Sequence, residues 1–197
     1  MKYDITARAF LYVLNKMVKK DIEKQNIKLI KKEYKQIILR SKPIGKKNIL
    51  LSSYLLCAFF IALNRENPIG SENNYLILEK GMTESKLLKL FMGDASSYFD
   101  SKRMESRRKW ALNSHNKEYE NDWVLNFVER NGKYEFGIDY LECGVCKMCK
   151  AEGCFELAKY LCKLDYLLAD IMGLGLDRTK TLANGADRCD FRWYRKD

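Results

Sequence analysis

Residues 123–140, WVLNFVERNGKYEFGIDY, hold two strand-like runs on either side of the pair Asn131-Gly132. Both runs are rich in Val, Phe, Tyr and Trp, which are residue types enriched in strands. An Asn-Gly pair tolerates the positive φ angles of a tight hairpin turn. The stretch therefore predicts an antiparallel hairpin with strands over residues 123–129 and 133–140.

A second pair of strand-like runs ends the chain, over residues 177–183 and 189–195, and again flanks an Asn-Gly pair. In the last run Cys189, Phe191 and Trp193 alternate with polar residues, so they point to one face. We predict a four-stranded antiparallel sheet with a helical, cysteine-rich insertion between strands 2 and 3. With the N-terminal helices packed on this sheet, the fold class is α+β.

The N-terminal 120 residues are predicted to be mainly helical and to form a single domain, 1–197, with the sheet of residues 121–197. Apolar residues at three-to-four spacing indicate a helical hairpin over residues 4–24 and 27–38, which Pro43 and Gly45 end. Residues 49–63, ILLSSYLLCAFFIAL, are apolar on nearly all faces and predict a buried central helix. This run is too short for a bilayer span, which needs about 20 such residues.

The composition of residues 67–74, NPIGSENN, predicts a loop. Thr83 is then a suitable N-cap for a helix that runs to Phe99, with Leu87, Leu90, Phe91 and Tyr98 facing inward. His115, the one histidine in the chain, is expected at a loop surface, and a role as a single metal ligand or proton carrier stays open.

The net charge of +10 makes an anionic partner plausible, because a summed positive field attracts phosphates and carboxylates. The lysines are scattered at helical spacing, which favours solvated helix faces. The run containing Arg103, Arg107 and Arg108 is either an anion-binding patch or a solvated helix or loop. Neither an aromatic-basic sheet nor a helix-turn-helix pattern is present, so no nucleic-acid partner is predicted.

Seven cysteines without a secretion signal favour a reducing cytoplasm, where thiols are free or metal-bound. Cys143, Cys146 and Cys149 form a C-x2-C-x2-C run that could converge on zinc or an iron–sulfur cluster. The second knuckle of such a site is missing unless Cys162 or Cys189 completes it. No cofactor is therefore assigned, and both metals stay open.

Helical projection of residues 156–172 places Cys162 and Asp165 together on the margin of a leucine stripe. Partial burial raises the pKa of a carboxyl and suits it to proton transfer, and a thiol one turn away can act as a nucleophile or a metal ligand. The alternative is a structural cysteine beside an aspartate that binds the backbone or an arginine. Arg178, on a predicted strand, could clamp a substrate carboxylate or neutralise Asp165 or Asp190.

Several motifs in order resemble the L-2-amino-thiazoline-4-carboxylic acid hydrolase family. They are Cys143 or Cys146, Gly153-x-x-Glu156-Leu157, Leu161-Cys162-x-x-Asp165, Arg178-Thr179-x-Thr181-Leu182-Ala183-x-Gly185 and Cys189-Asp190-Phe191. The resemblance covers about the last 75 residues. The chain departs from the family pattern at Cys154-Phe155 and in its additional cysteines at 146 and 149.

The resemblance implies hydrolytic opening of a cyclic amidine, or of a similar C–N bond, in a small carboxylate substrate to give an N-carbamoyl amino acid. Cys162 or Cys189 would attack the amidine carbon or hold a metal-bound water, and Asp165 would move protons. Arg178, Thr181 and Asp190 would bind the substrate. The alternative is a non-catalytic ligand-binding or metal-sensing module that resembles vinyl-reductase-like domains, and a homo-oligomer is left open for either reading.

Overall fold

The computed structural model describes residues 1–45 and 50–196. In these ranges, nine α-helices and one four-stranded antiparallel sheet form an α+β fold, which confirms the predicted class. The helices are α1 (Ile5–Val18), α2 (Lys24–Arg40), α3 (Leu51–Glu66), α4 (Ser71–Glu84), α5 (Lys86–Met92), α6 (Ala95–Tyr98), α7 (Ser101–Ser114), α8 (Gly144–Ala151) and α9 (Ala158–Ile171). The strands are β1 (Val124–Val128), β2 (Phe136–Glu142), β3 (Leu174–Asp177) and β4 (Cys189–Arg195), in the spatial order β1-β2-β4-β3.

Helix α3 is the centre of the hydrophobic core, because every residue from Tyr54 to Leu63 is buried. Helices α1, α2, α4 and α8 all pack against it. The predicted central helix is therefore confirmed, although its expected first residue, Ile49, lies outside the described residues. No helix in the described ranges has both the length and the apolarity that a membrane span requires.

The segment before the sheet differs from the sequence prediction. Helix α4 begins at Ser71, inside the predicted loop, and Thr83 lies within this helix instead of capping the next one. Ser85 caps α5 by accepting a hydrogen bond from the Leu88 amide, and a separate cap at Asp94 begins α6. The continuous helix predicted up to Phe99 is therefore wrong.

The predicted inward positions on that helix are also wrong in part. Leu87 and Leu90 are 39% and 79% exposed, whereas Tyr98 packs against the core. The side chain of Phe91 lies outside the described part of the chain. Gly93, at φ 75°, ends α5 and reorients the chain toward α6, so inward positions do not continue at one helical period.

The hairpin predicted at Asn131-Gly132 is confirmed by the pairing of β1 with β2, and Gly132 has φ 88°. Strand β2 continues to Glu142 and pairs with β4 on its other edge. In that register Tyr140 lies opposite Cys189, and Ile138 lies opposite Phe191. These four side chains share one face of the sheet, the face that turns toward the helices.

The third strand lies earlier than predicted, at Leu174–Asp177, directly after the glycine that ends α9. Gly173 has φ 70°, a conformation that suits glycine at a helix C-terminus. Residues 178–183, predicted as a strand, form a loop because the Asp190 carboxylate accepts hydrogen bonds from the amides of Thr179 and Lys180. The predicted placement of Arg178 on a strand is therefore wrong.

Four charged side chains connect α2, α3 and the end of α8. Glu152 accepts hydrogen bonds from Arg40 at 2.6 and 2.9 Å and from Arg65 at 2.7 Å, and both arginines also pair with Glu33. The Glu152 side chain is only 8% exposed. This cluster fixes α8, which follows the second strand, against the central helix.

Candidate functional site

A cavity of about 390 Å³ lies between the sheet and helices α3, α7, α8 and α9. The sheet contributes four apolar or aromatic side chains to its wall, Ile138, Tyr140, Phe191 and Trp193. Helix α9 contributes leucines. The arginine, cysteine and aspartate side chains in its lining are Arg103, Arg107, Cys143, Cys162, Asp165 and Cys189. The structure therefore brings together the predicted trio of Cys162, Asp165 and Cys189.

Asp165 lies at the margin of the apolar stripe of α9, whose members Leu161 and Leu164 are buried. This position brings its side chain to the cavity. Its side chain is 33% exposed. Burial raises the pKa of Asp165 to about 6, and the nearby Arg178 guanidinium partly opposes this shift. A carboxyl with this pKa can give and take a proton near neutral pH.

Arg178 binds Asp165 and does not line the cavity. Its Nη1 donates to Oδ2 of Asp165 at 2.6 Å, and its Nη2 donates to the Cys162 carbonyl oxygen at 2.9 Å. The guanidinium carbon lies 4.8 Å from the Tyr166 ring and 4.9 Å from the Phe191 ring. Arg178 therefore neutralises Asp165. This is one of the two roles that the sequence left open for it, the other being to clamp a substrate carboxylate.

Thr181 and Asp190, the other predicted substrate-binding residues, are also outside the cavity lining. The Thr181 hydroxyl accepts a hydrogen bond from the Asn184 amide and caps a short 3-10 turn at Leu182–Asn184. The Asp190 carboxylate organises the loop before it through Thr179 and Lys180. Both side chains are engaged in local structure.

The thiols that face the cavity differ in how readily they ionise. Burial, with a smaller effect of the Asp165 charge, raises the pKa of Cys162. Burial also raises the pKa of Cys189 to about 11, although the hydrogen bond that its sulfur accepts from the Leu182 amide lowers this pKa. The hydrogen-bonding Cys146 thiol, together with the backbone amides of Cys146 and Val145, lowers the pKa of Cys143. Cys143 is therefore the cavity thiol most easily converted to a thiolate.

The C-x2-C-x2-C run does not gather its three sulfur atoms at one point. Cys143 precedes α8, and its sulfur shares a hydrogen bond with the Cys146 thiol. Cys149 instead faces the core, with its sulfur 3.5 Å from that of Cys57. Within residues 1–45 and 50–196, no group of three or more His, Cys, Asp or Glu side chains is arranged to hold a metal ion. The structure therefore does not bring the three cysteines of the predicted metal set together, because Cys149 faces the core while Cys143 lines the cavity.

Two further features of the cavity depend on tertiary packing, although the sequence indicates the run that contains Arg107 as one possible anion-binding patch. Arg107, on α7, is 9% exposed, and its Nη1 donates to the Tyr98 carbonyl oxygen at 2.8 Å. Tyr140 lies in a predicted strand, but it is the pairing register of β2 with β4 that places it opposite Cys189.

His115 lies at the end of α7, outside this cavity. Its Nε2 is 3.1 Å from the Leu125 carbonyl oxygen.

A family model described as L-2-amino-thiazoline-4-carboxylic acid hydrolase matches residues 49–193 of the chain. The match extends well beyond the last 75 residues and includes α3, α7 and every cavity residue that can carry chemistry. No curated protein and no solved structure matches the chain.

Proposed function

The chain belongs to the L-2-amino-thiazoline-4-carboxylic acid hydrolase family, and from this premise we propose that it opens a cyclic amidine ring in a small carboxylate substrate by hydrolysis. One observation carries the proposal: the Asp165 carboxyl and the thiols of Cys143, Cys162 and Cys189 face a single cavity. Cyclic amidine opening needs a nucleophile and a group that can donate and then accept a proton. The product would be an N-carbamoyl amino acid.

In the first step of the proposed reaction, the Cys143 thiolate bonds to the carbon between the ring nitrogen and the ring sulfur. The ring carbon–sulfur bond breaks, and the departing sulfur takes a proton from Asp165. Two features support these roles: the lowered pKa of Cys143, whose thiolate is stabilised by its neighbour Cys146 and by nearby amides, and the raised pKa of Asp165, which is buried. Asp165 and Cys143 line the same cavity.

In the second step, a water oxygen bonds to the same carbon. One water proton passes to Asp165 and the other to the former ring nitrogen. The bond between this carbon and the Cys143 sulfur then breaks, which restores the thiolate and the protonated carboxyl. The overall reaction consumes one water for each ring and releases one thiol on the product. Cys162 and Cys189, whose pKa values are raised chiefly by burial, stay protonated in this scheme.

Ring opening is measured directly by the thiol that each turnover releases. We would incubate the protein with 2-aminothiazoline-4-carboxylate and related cyclic amidines, titrate free thiol and identify the product by mass. The expected result is turnover by the wild type and its loss, by roughly 100-fold or more, in Asp165→Asn.

Asp170→Asn is the matched control for that variant. Asp170 lies on the same helix and binds Lys196 at the surface, away from the cavity. Its variant should retain wild-type turnover. The proposal fails if no cyclic amidine is opened by the wild type, or if Asp165→Asn is as active as Asp170→Asn.

A further inference from the structure

Two arginines near the cavity are almost fully buried, and they differ in their partners. Arg178 has a carboxylate partner in Asp165 at 2.6 Å. Arg107 has none: in the described part of the chain its guanidinium binds the carbonyl oxygen and the side chain of Tyr98 and the Met104 sulfur, and it lies against two aromatic rings. A buried charge without a counter-ion is costly and is retained where a ligand supplies the counter-ion. Arg107 lines the cavity, so an anion inside the cavity can reach it.

The surroundings of Arg107 suit a carboxylate. The guanidinium carbon lies 4.2 Å from the Tyr98 ring centre and 4.9 Å from that of Phe136, so the rings hold its plane in place. A fixed, planar guanidinium presents parallel N–H groups that match the two oxygens of a carboxylate. Arg103, one turn earlier on α7, also lines the cavity and makes no ion pair within the described residues. The cavity therefore has a cationic end.

The rest of the wall is apolar and aromatic. The three tryptophans of the chain, Trp110, Trp123 and Trp193, all line the cavity, together with Tyr98, Tyr140 and Phe191. The volume of about 390 Å³ lies within the roughly 300–1,000 Å³ of pockets that hold drug-sized ligands. A single thiazoline ring with its carboxylate would fill only a small part of this space.

The cationic end and the reactive end lie within reach of one ligand. Arg107, Tyr98 and Asp165 all line this one cavity, and the Tyr98 ring centre lies 4.2 Å from the guanidinium carbon of Arg107. Burial is the main cause that raises the pKa of Tyr98 to about 12, while Arg107 lowers it and Asp165 raises it. A ligand whose carboxylate meets Arg107 would thus place the remainder of its body between aromatic rings and the reactive groups.

We infer that the cavity selects carboxylates with a bulky apolar or aromatic body, and that Arg107 binds the carboxylate while the tryptophans pack against the body. This inference rests on the proposed function, because it names the substrate class for that reaction. It assigns Arg107 the anion-binding role that the sequence gave to Arg178. The preferred substrate is then an aryl- or alkyl-substituted cyclic amidine acid rather than the unsubstituted thiazoline acid.

Binding can be measured without turnover, because the tryptophans are all at the site. We would titrate the wild type with 4-phenylbutyrate and with its neutral amide, and follow tryptophan fluorescence and heat of binding. The carboxylate should bind roughly 10- to 100-fold more tightly than the amide, because a charge-assisted hydrogen bond to Arg107 is lost in the amide. This comparison needs no variant and therefore no refolding control.

Arg107→Met, which keeps an apolar stem and removes the charge, should abolish the preference for the carboxylate while leaving amide binding intact. Arg108→Met is the matched control, because Arg108 is adjacent on α7 and pairs with Glu129 at 2.7 Å outside the cavity. Equal binding of acid and amide to the wild type, or no binding of either, would overturn the inference. If the acid is preferred but no cyclic amidine is opened, the proposed reaction fails while the binding site stands.

Turnover then identifies the substrate class. The ratio of kcat/KM for a 2-aminothiazoline-4-carboxylate carrying a phenyl substituent to that for the unsubstituted acid should exceed roughly 10, because the added ring buries apolar area against the tryptophans. A preference for the unsubstituted acid would refute the inferred substrate size without affecting the proposed ring opening.

Discussion

The guanidinium of Arg178 lies outside the cavity lining and donates from Nη1 to Oδ2 of Asp165 at 2.6 Å, while Asp165 itself lines the cavity. The arginine side chain is 5% exposed and that of the aspartate 33%. One ion pair therefore both orients a reactive group and moderates its acidity. Because Arg178 opposes the effect of burial, the pKa of Asp165 stays at about 6 and does not rise further.

Arg178→Met should expose both consequences of this pair. Removing one partner of a buried ion pair leaves the other uncompensated, and we expect a loss of about 3 kcal/mol in the free energy of unfolding. The limb of the pH–rate profile that reports Asp165 should also move above pH 6, because the group that lowers its pKa is gone. Urea unfolding and the pH dependence of kcat/KM measure the two effects. Lys180→Met, on the same loop, should change neither, and an unmoved limb in Arg178→Met would contradict the assignment.

Cys143 should be the cavity thiol that alkylates first. Its pKa lies below the ordinary value, chiefly through the Cys146 thiol and also through backbone amides, whereas the pKa values of Cys162 and Cys189 are raised by burial. Limited iodoacetamide treatment at pH 7.5, followed by peptide mapping, should label Cys143 ahead of the other two. In Asp165→Asn the apparent pKa of Cys143 should fall further, because the aspartate charge raises it. Faster labelling of Cys162 than of Cys143 would refute this order.

Glu152→Gln should destabilise the contact between α8 and the central helix. Two arginines bind this carboxylate, but they are 33% and 44% exposed, so we expect a modest loss of about 1–2 kcal/mol at pH 7. Burial raises the pKa of Glu152, but the hydrogen bonds from Arg40 and Arg65 outweigh this effect. The pKa of Glu152 therefore lies below its ordinary value. Its stabilising effect is therefore present above the unfolded pKa of about 4.3 and is lost as the pH falls below that value.

Urea titrations of the Glu152→Gln variant and the wild type at pH 7 and pH 3 test this dependence. The difference in unfolding free energy should be largest at pH 7 and should shrink at pH 3. Glu66→Gln is the charge-matched control, since Glu66 makes no ion pair within residues 1–45 and 50–196. A difference that stays constant with pH would contradict the role of the cluster.

Gly144→Ala should disturb the start of α8, next to Cys143. A Cβ at this position would lie 2.5 Å from the Asn121 carbonyl oxygen and 2.8 Å from the Trp123 ring, and backbone atoms cannot move aside cheaply. We expect a loss of about 1–3 kcal/mol in unfolding free energy, which is typical of overpacking. Because Trp123 lines the cavity, tryptophan emission should change as well. Unchanged stability and emission would show that α8 can shift freely.

The elements that the sequence predicted well are those that local pattern determines. The turn at Asn131-Gly132 needs only a residue pair suited to positive φ, and the period-2 alternation of β4 places Cys189, Phe191 and Trp193 on the buried face. The uniformly apolar run of α3 likewise requires burial on every side. Each of these signals is complete within about fifteen residues of sequence.

The wrong predictions arise where long-range contacts override local preference. Asn74 belongs to a run that is typical of a loop, yet it is buried in α4 because it exchanges amide hydrogen bonds with Asn67. Thr179 and Thr181 favour a strand, but the Asp190 carboxylate takes the amides that a strand would pair. No sequence period predicts that α7 brings Arg107 to the cavity, since this depends on how α7 packs on β1.

The most direct test of the account is an acid-quench experiment with the protein in excess over a cyclic amidine. Peptide mapping should find an adduct on the peptide carrying Cys143, with a mass increase equal to the intact substrate, because ring opening onto sulfur loses no atoms. Cys143→Ser should lose both adduct and turnover, while Cys154→Ser, whose thiol lies outside the cavity, should keep both. Ring opening by Cys143→Ser at the wild-type rate would contradict the account.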